Sequence, residues 1–270
     1  MKADEAKKLA DNALDTLAAA LKAGKSDSLT AYLAAMGRFH EYSWGNVMLI
    51  VSQKPDATRV AGFNTWKTLG RFVKKGEKGI VIIAPMLIKP KESAANDDEA
   101  RLLRFKAVYV FDVSQTDGEP LAEFSHVAGD PAGYTDRLKA LVAAQGIKLE
   151  YSAYLAGAKG RSHGGRIELL SDMPPAEEFS VLAHELAHEM LHRGERRSET
   201  SKTVRETEAE AVAFVVCQAI GLDTGTHAAD YIQLYDGDTA TLAQSLEFVQ
   251  KTAADIIAAV AAEEPLAEAA

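Results

Sequence analysis

The sequence predicts an α+β protein of two domains. Its 270 residues are about twice the commonest domain length. Apolar residues at helical spacing occupy both ends of the chain, and strand-like segments lie between them. Charge also divides the chain, because residues 1–120 carry 18 Lys and Arg against 15 Asp and Glu, whereas residues 121–270 carry 12 against 24. We therefore expect the two halves to have different tasks.

The composition excludes several classes of protein. With 47% hydrophobic and 26% charged residues, the chain resembles globular proteins and has enough apolar material for packed cores. No apolar run approaches the roughly 18 residues of a membrane helix, and the charged first residues are unlike a signal peptide. The single cysteine, Cys217, excludes an internal disulfide, and we interpret it as a small buried residue on a helix. These features predict a soluble cytoplasmic protein.

The first domain is expected over residues 1–120, with helices followed by strands. The helices are predicted from apolar residues three or four positions apart, and the strands from β-branched runs between Gly- and Pro-containing turns. In chain order we predict helices over 4–23, 28–39 and 43–55, a strand over 58–63, a helical turn over 64–69, a tight turn over 74–79, a strand over 80–84, a mobile loop over 90–99 and a strand over 106–113.

The second domain is expected over residues 125–265, after a cluster of Gly, Pro and Asp residues. Two short strands and several amphipathic helices follow. One helix is expected to begin after Pro174-Pro175, because proline is tolerated in the first turn of a helix. In chain order we predict a helix over 134–144, strands over 148–151 and 166–170, helices over 177–192, 203–220 and 239–262, and a disordered tail.

The strongest motif is His184-Glu185-Leu186-Ala187-His188, an H-E-x-x-H pattern on a predicted helix. Four residues are just over one helical turn, so both imidazoles project from one face and can reach a single ion at about 2.0–2.1 Å. Glu185 lies beside them, where a base is needed to take a proton from a metal-activated water. The alternative is two surface histidines on an ordinary helix. We prefer the metal interpretation because the helix is mostly apolar and unpaired buried histidines are costly.

A third protein ligand is expected from the following helix, which carries Glu206, Glu208 and Glu210. Glu206 and Glu210 are four residues apart and share a face, so one can bind the metal while the other orients a ligand. Glu208 is turned about 200° from that face, at ~100° per residue. We predict Glu210 as the ligand, with Glu206 as the second choice. Zinc is the predicted metal, and other divalent ions such as manganese or cobalt fit the same ligands.

This pair of helices resembles the gluzincins, in which a His-Glu-x-x-His helix is followed by a helix that supplies a glutamate. The run Glu208-Ala209-Glu210-Ala211, followed by Phe214, is similar to the glutamate helix of the small metallopeptidases related to ImmA and IrrE. The resemblance implies a zincin-like metallopeptidase domain in which Glu210 is the metal ligand. Residues 164–169 resemble the edge strand of the zincin cleft, which implies that a peptide binds there by strand addition.

The first half contains a basic and aromatic segment. Residues 59–91 carry eight Lys or Arg and one acid, Glu77. Trp66 and Phe72 lie within this segment, and a cationic groove with aromatic side chains is typical of single-stranded nucleic-acid sites. The alternatives are that the tryptophan belongs to the core and that the lysine-rich turn is simply solvated. The residues by themselves leave both interpretations open.

Three motifs of the first half resemble the N-terminal domain of the ArdC-type antirestriction proteins. They are Ser43-Trp44-Gly45-Asn46, the Gly- and Lys-rich run over residues 62–80, and Val110-Phe111-Asp112-Val113-Ser114-Gln115-Thr116. With the zincin-like part the resemblance covers about residues 25–260. It implies an N-terminal domain that binds single-stranded DNA, in a protein that helps plasmid or phage DNA survive restriction. The side chains predicted to contact DNA are Trp66, Arg71, Lys74, Lys75 and Lys78.

The sequence therefore predicts an ArdC-like antirestriction protein with a zinc peptidase site, acting on an unknown protein or peptide. One alternative is a DNA-occluding protein whose metal site is structural. Another is a regulatory protease like ImmA that cuts a repressor, in which the first half recognises protein. His192 is a candidate for a contact behind the metal ligands or for a cation at the helix end, and Tyr231 and Tyr235 are candidates for stabilising an oxyanion.

Overall fold

The computed structural model describes residues 3–23, 27–88, 102–119, 131–222 and 239–261. Within them the chain forms helices and three small sheets, which confirms the predicted α+β class. Contacts divide the chain into one unit of residues 1–16 and 45–122 and a second of residues 17–44 and 123–270. The chain thus crosses between the units after residues 16, 44 and 122, whereas the sequence predicts a single boundary near residue 120. Residues 17–44 join the second unit because α2 (Asp27–Arg38) packs against α8 (Lys202–Ala219).

The first unit is built on an antiparallel sheet in the order β1-β4-β3. Strands β3 (Ile80–Ile88) and β4 (Leu102–Asp112) pair along their whole length, from Ile80 opposite Val110 to Ile88 opposite Leu102. The short strand β1 (Val60–Gly62) pairs with the end of β4. Ile80, Val81 and Ile82 are buried, so the β-branched run that predicted this strand also supplies part of the core.

Helix α3 (Trp44–Gln53) covers the outer edge of β3 with two amide side chains. Asn46 donates to the carbonyl of Ile83 and accepts from its N–H, both at 2.8 Å. Gln53 does the same with Val81 at 2.9 and 3.0 Å. These bonds replace those of a neighbouring strand and satisfy backbone groups that an open sheet edge leaves unpaired.

The remainder of the first unit holds α4 (Phe63–Thr68) and a two-stranded sheet of β2 (Arg71–Val73) and β5 (Thr116–Gly118). A 3-10 turn before β5 is fixed by the buried carboxylate of Asp112. That carboxylate accepts from the backbone N–H groups of Thr58, Arg59 and Ser114 at 2.8 to 3.0 Å. Burial alone would raise the pKa of Asp112, but these hydrogen bonds outweigh it and lower the pKa.

The second unit is mainly helical. Its helices are α2, α5 (Ala132–Ala144), α6 (Pro175–Leu191), α7 (Glu195–Glu199), α8 and α9 (Thr239–Ala261). Helix α8 packs against α2, α6 and α9, and its face of small residues makes this close packing possible. At Gly37 of α2 an added Cβ would lie 2.9 Å from the carbonyl oxygen of Val215, so glycine is required at this contact.

A three-stranded sheet lies beside these helices in the order β6-β8-β7. Strand β6 (Lys148–Ser152) runs parallel to β8 (Arg166–Leu170), and β7 (Gly160–Ser162) runs antiparallel to it. The expectation that residues 164–169 form an edge strand is wrong, because β8 is paired on both sides. Among the described residues β7 is the edge strand next to α6.

The predicted helices and the longer strands lie within a few residues of their observed bounds. The three-residue strands β2, β5 and β7 were not predicted, and the loop expected over residues 90–99 lies outside the described residues. Among the helices described, none combines the length and the apolar character needed to cross a bilayer.

Candidate metal centre

Helix α6 carries the H-E-x-x-H motif on a well-anchored segment. Pro175 occupies its first turn and two glutamates follow, which suits the positive end of the helix dipole. Phe179, Leu182 and Leu186 are fully buried and hold the helix against the core. His184 and His188 therefore project from a fixed face, one turn apart.

Three donor atoms meet at this face. Nε2 of His184 and Nε2 of His188 are 3.1 Å apart, and Oε2 of Glu206 lies 3.6 and 3.4 Å from them. Ligands at about 2.0–2.1 Å from a tetrahedral ion are separated by about 3.3 Å. The donor spacing and the set of two imidazoles and one carboxylate thus fit a divalent metal ion. We call these three atoms the donor cluster.

Glu206 and Glu210 occupy the two positions that the sequence left open, one among the metal donors and one behind a ligand histidine. Both lie on α8, whose N-terminus is capped by the Ser201 hydroxyl accepting from Val204 N–H at 3.2 Å. Oε2 of Glu206 belongs to the donor cluster, whereas Oε2 of Glu210 is 3.1 Å from Nδ1 of His184. The glutamate at the donor cluster is thus Glu206, the second choice from the sequence, and not Glu210, the first choice. Because the two residues share a helical face, the position of α8 along α6 decides which of them reaches the donor cluster.

The histidines and glutamates of the site shift one another's pKa values. Burial alone would lower the pKa of His184, but hydrogen bonds with Glu206 and Glu210 outweigh it and raise the pKa to about 9. Hydrogen bonds with His184 and His188 hold the pKa of Glu206 well below its usual range. The carboxylate of Glu206 therefore remains charged near neutral pH and supplies negative charge to the donor cluster.

Glu185 lies beside the donor cluster and is largely buried. Burial raises the pKa of its carboxyl. A carboxylate with a raised pKa is a better proton acceptor near neutral pH. The side chain lies against β7, because a Cβ added at Gly160 would be 2.7 Å from Cγ and Oε1 of Glu185. The absence of a side chain at Gly160 thus leaves room for the glutamate.

A second carboxylate of α6, Glu189, fastens the turn between β7 and β8. It accepts from Ser162 Oγ at 2.8 Å and from the N–H groups of Gly164 and Gly165 at 2.7 Å, and it pairs with Arg193. Burial would raise the pKa of Glu189, but these bonds outweigh it and lower the pKa to about 2. The sequence analysis missed this contact, although the Gly-Gly pair marked the turn. Both glycines have positive φ, which other residues rarely adopt.

A cavity of about 440 Å³ opens beside His188. The turn that Glu189 fastens forms one wall through Ser162 and His163, and the region after α6 forms another through Arg193 and Arg197. The cavity therefore runs from His188 past the C-terminal end of α6, and of the donor cluster only His188 lines it. Its position beside a proposed ligand makes it a candidate part of the substrate cleft.

Behind His188 lies a buried polar network. Nδ1 of His188 is 3.1 Å from Nδ1 of His192, and Nε2 of His192 is 2.9 Å from Oε2 of Glu208. Glu208 also accepts from Arg196 and Ser245. Glu208 faces away from the donor cluster, as its helical angle predicts. Burial lowers the pKa of His192, and this outweighs the opposing effect of Glu208.

The predicted DNA contacts of the first unit fall into two groups. Trp66 is 2% exposed and donates its Nε1–H to the carbonyl of Phe111 at 2.8 Å, so its ring belongs to the core and the prediction that it stacks on a base is wrong. The guanidinium of Arg71 donates to Thr116, Gly118 and Glu119, and thus ties β2 to β5. It has a structural task that the sequence did not indicate.

The three lysines predicted to contact DNA also differ in whether their charge is used within the protein. Lys74 donates to the carbonyl of Ser114 at 3.0 Å and lies 3.6 Å from Asp117. Lys75 and Lys78 are exposed, and within the described part of the chain neither ammonium group has a hydrogen bond or an ion pair, although the backbone carbonyl of Lys78 accepts from Gln115 at 2.9 Å. These two lysines are therefore the members of the predicted set whose charge is available to an incoming phosphate.

Several aromatic side chains of the first unit are exposed, and the sequence analysis had singled out only Phe72 among them. Phe72 is 59% exposed on β2. Phe105 is 59% and Tyr109 50% exposed, four residues apart on one face of β4, and Phe63 is exposed at the start of α4. Side chains four residues apart on a strand are about 14 Å apart. Exposure of this kind depends on the fold and has no local sequence signal.

The candidate oxyanion residues Tyr231 and Tyr235 lie outside the described residues, as does His227. His163 is described and lies 3.5 Å from Oε2 of Glu168 on the neighbouring strand. The described residues thus give no account of oxyanion stabilisation by tyrosine, and that role stays a prediction.

Two family models match different parts of the chain. Residues 5–111 match the family model for the N-terminal domain of anti-restriction factor ArdC. Residues 142–220, which contain α6 and α8, match the M78 peptidase model, the IrrE N-terminal-like domain. An uncharacterized protein of Bacillus anthracis is 25% identical over 241 residues, which is 73% of this chain and 41% of that protein. The chain thus spans about two fifths of this relative.

Two solved structures of the antirestriction ArdC protein from the R388 plasmid share the fold. The metal-free structure has a TM-score of 0.57 at 23% identity and covers 94% of this chain and 97% of its own. The Mn(II)-bound structure has a TM-score of 0.55 at 21% identity and covers 94% and 98%. Together with the two family models, these matches support an ArdC-like protein, in which a domain similar to the ArdC N-terminal domain is followed by a zincin-like domain similar to that of IrrE.

Proposed function

We propose that this chain is an antirestriction protein in which the zincin-like domain is a zinc-dependent peptidase and the N-terminal domain binds single-stranded DNA. The observation that carries the peptidase proposal is the donor cluster of His184, His188 and Glu206, with Glu185 buried beside it. Manganese fits the same donor atoms, and one relative is known with Mn(II) bound. The sequence analysis preferred Glu210 as the third ligand, and the distances favour Glu206.

Each side chain has a definite task in hydrolysis. A divalent ion held by the donor cluster supplies Lewis acidity, which polarises a peptide carbonyl and lowers the pKa of water. Glu185 accepts the proton of the attacking water and delivers it to the departing amine. Glu210 orients His184 through Nδ1. The ladder bonds of Lys159 and His163 to β8 leave the backbone groups of Gly160 and Ser162 pointing outward, where an extended peptide can add as a strand.

Two substitutions separate metal binding from catalysis. We expect His184→Ala to abolish stoichiometric metal, measured by elemental analysis of reconstituted protein. We expect Glu185→Gln to retain the metal and to stop cleavage of unfolded protein substrates. Cleavage that survives in Glu185→Gln contradicts the proposed base. If Glu185→Gln leaves protection of incoming DNA intact in a restricting host, the metal site is not needed catalytically and protection arises from occlusion of DNA.

Binding of single-stranded DNA is proposed from exposed aromatic rings combined with unpaired lysines. Tyr109 lies against Gly79, next to Lys78, so a stacking face and a cation are adjacent at the end of the β3–β4 pair. Phe105 extends the aromatic face along β4, and Phe72 and Lys75 lie on β2 and in the turn that follows it. Stacking on aromatic side chains contributes about 1–3 kcal/mol per base and tolerates any sequence.

Measuring affinity for an oligonucleotide at several salt concentrations tests this second part. Each neutralised phosphate of single-stranded DNA contributes a slope of about −0.7 in a plot of log affinity against log salt. The double variant Lys75→Ala/Lys78→Ala is expected to make the slope about 1.4 shallower, whereas Lys54→Ala, whose lysine is paired with Asp56, leaves it unchanged. A salt-independent wild-type affinity would instead favour a first half that recognises protein.

A further inference from the structure

The network behind His188 is almost entirely buried, although it borders the cavity beside His188. The side chains of His192 and Glu208 are fully buried, and Arg196 is 17% exposed. Arg196 donates to both carboxylate oxygens of Glu208, at 2.6 and 2.7 Å, and Ser245 donates to Oε1 at 2.7 Å. Neither His192 nor Glu208 touches the donor cluster directly. They are buried polar groups to which the proposed hydrolysis assigns no task.

Arg196, at one end of this network, determines where the protons of the network lie. A carboxylate that receives two charge-assisted bonds from Arg196 is ionised and accepts only. The contact between Glu208 and Nε2 of His192, at 2.9 Å, therefore requires the ring proton to be on Nε2. The side chain of His192 is fully buried, and Arg196 already balances the charge of Glu208, so a second buried cation would be uncompensated. The ring of His192 is therefore neutral and its Nδ1 is an acceptor.

This direction of bonding continues to His188. Since Nδ1 of His192 accepts, the 3.1 Å contact between the two rings requires Nδ1–H of His188 as the donor. With its proton on Nδ1, His188 presents the lone pair of Nε2, the atom that faces Nε2 of His184 and Oε2 of Glu206. The opposite tautomer would place two acceptors against each other between His188 and His192, and would aim a proton at the donor cluster.

We infer that His192 and Glu208 are positioning residues that hold His188 in the tautomer with a free Nε2, ready to bind a divalent metal. The inference rests on the proposed metal site and adds a buried His-His-Glu relay anchored by Arg196 and Ser245. Relays of this type, in which the second ring nitrogen of a ligand histidine donates to a fixed acceptor, raise metal affinity by about 10- to 100-fold.

The relay predicts a property of the metal-free protein as well as of the metal complex. Nitrogen-15 NMR of the histidine rings reports directly which nitrogen carries the proton. In the wild type we expect His188 to be protonated on Nδ1 only. In His192→Leu the acceptor is gone while Glu208 keeps Arg196 and Ser245, so we expect the tautomer with a proton on Nε2 to become populated. His40→Leu makes the same change at a histidine of the turn after α2, away from the relay and the donor cluster, and should leave His188 unaltered.

The same variants are titrated with Mn(II), with binding followed by electron paramagnetic resonance. We expect His192→Leu to bind Mn(II) about 10- to 100-fold more weakly than the wild type. His192→Gln should recover part of that loss, because an amide can accept from His188 and donate to Glu208. His40→Leu should keep the wild-type affinity. If a variant is too unstable to purify, the tautomer of His188 in the wild type decides the matter alone.

The results separate the relay from the proposed function. A wild type that binds Mn(II) but carries the His188 proton on Nε2 when metal-free overturns the relay and leaves the metal site standing. An unchanged affinity in His192→Leu does the same. A wild type that shows the expected tautomer but binds no divalent ion contradicts the proposed function instead.

Discussion

The assignment of Glu206 as the third ligand can be tested against Glu210 on the same helix. In Glu206→Gln the side chain keeps its shape but loses the charge of an oxygen that lies 3.4 and 3.6 Å from the two Nε2 atoms. In Glu210→Gln the change is made behind His184, at 3.1 Å from Nδ1. The two substitutions are chemically identical and four residues apart, so they differ only in their position relative to the donor cluster.

The structure predicts a different loss of metal affinity for each of the two substitutions. Losing one of three protein ligands is expected to weaken metal binding by at least about 100-fold, or roughly 2.7 kcal/mol. Losing a group that only orients a ligand is expected to cost about 10-fold, or roughly 1.4 kcal/mol. Affinities are measured by competition with a chromophoric chelator for zinc. Glu247→Gln, which neutralises an exposed carboxylate on α9, is the matched control and should bind as the wild type does.

The ranking of the variants is the decisive result. If Glu210→Gln loses more metal affinity than Glu206→Gln, the third ligand is Glu210, as the sequence predicts, and not Glu206. If neither variant differs from Glu247→Gln, no carboxylate of α8 binds the ion. Either result would require a different third ligand or a site of two histidines.

Three further predictions concern other parts of the molecule. Gly160→Ala places a Cβ 2.7 Å from the Glu185 carboxylate, so cleavage should fall by about 100-fold while zinc affinity is retained, as peptidase assays and titrations can check. Asp112→Asn should lower the free energy of unfolding by about 1–3 kcal/mol in urea titrations. Because folding lowers the pKa of Asp112 below its usual 3.8, its stabilisation is present above that pH and is lost as pH falls below it; the variant should lack this acid dependence, and an unchanged profile would contradict the assignment. Gly37→Ala should destabilise the protein by about 1–3 kcal/mol in thermal or urea unfolding, since its Cβ meets a backbone oxygen of α8 that cannot move alone; full stability would show that the helices can separate at little cost.

The long helices and the metal-binding motif could be predicted because their signals are local. Apolar residues every three or four positions determine α6 and α8, and a four-residue spacing is enough to place His184 and His188 on one face. Strands β2, β5 and β7 have three residues each, too few for an alternating pattern. The edge strand was therefore assigned to the longer β8, whose pairing on both sides only the structure shows.

The remaining site features depend on tertiary contacts. Glu206 and Glu210 share a helical face, and the position of α8 along α6 decides which of them reaches the donor cluster. Trp66 and Phe72 are both aromatic residues of a basic segment, yet one is buried and the other exposed. The guanidinium of Arg71 binds backbone carbonyls of β5 and the residue that follows it, which are distant in sequence. Periodicity and composition carry no information about such contacts.

A crystal structure of the chain soaked with Mn(II) or Zn(II), with the ion located by anomalous scattering, tests the central claim most directly. We expect one strong anomalous peak per chain, bonded to Nε2 of His184, Nε2 of His188 and a carboxylate oxygen of Glu206, with Glu210 on Nδ1 of His184. A peak bonded to Glu210 in place of Glu206, or no peak between the two histidines of a fully soaked crystal, would contradict the account.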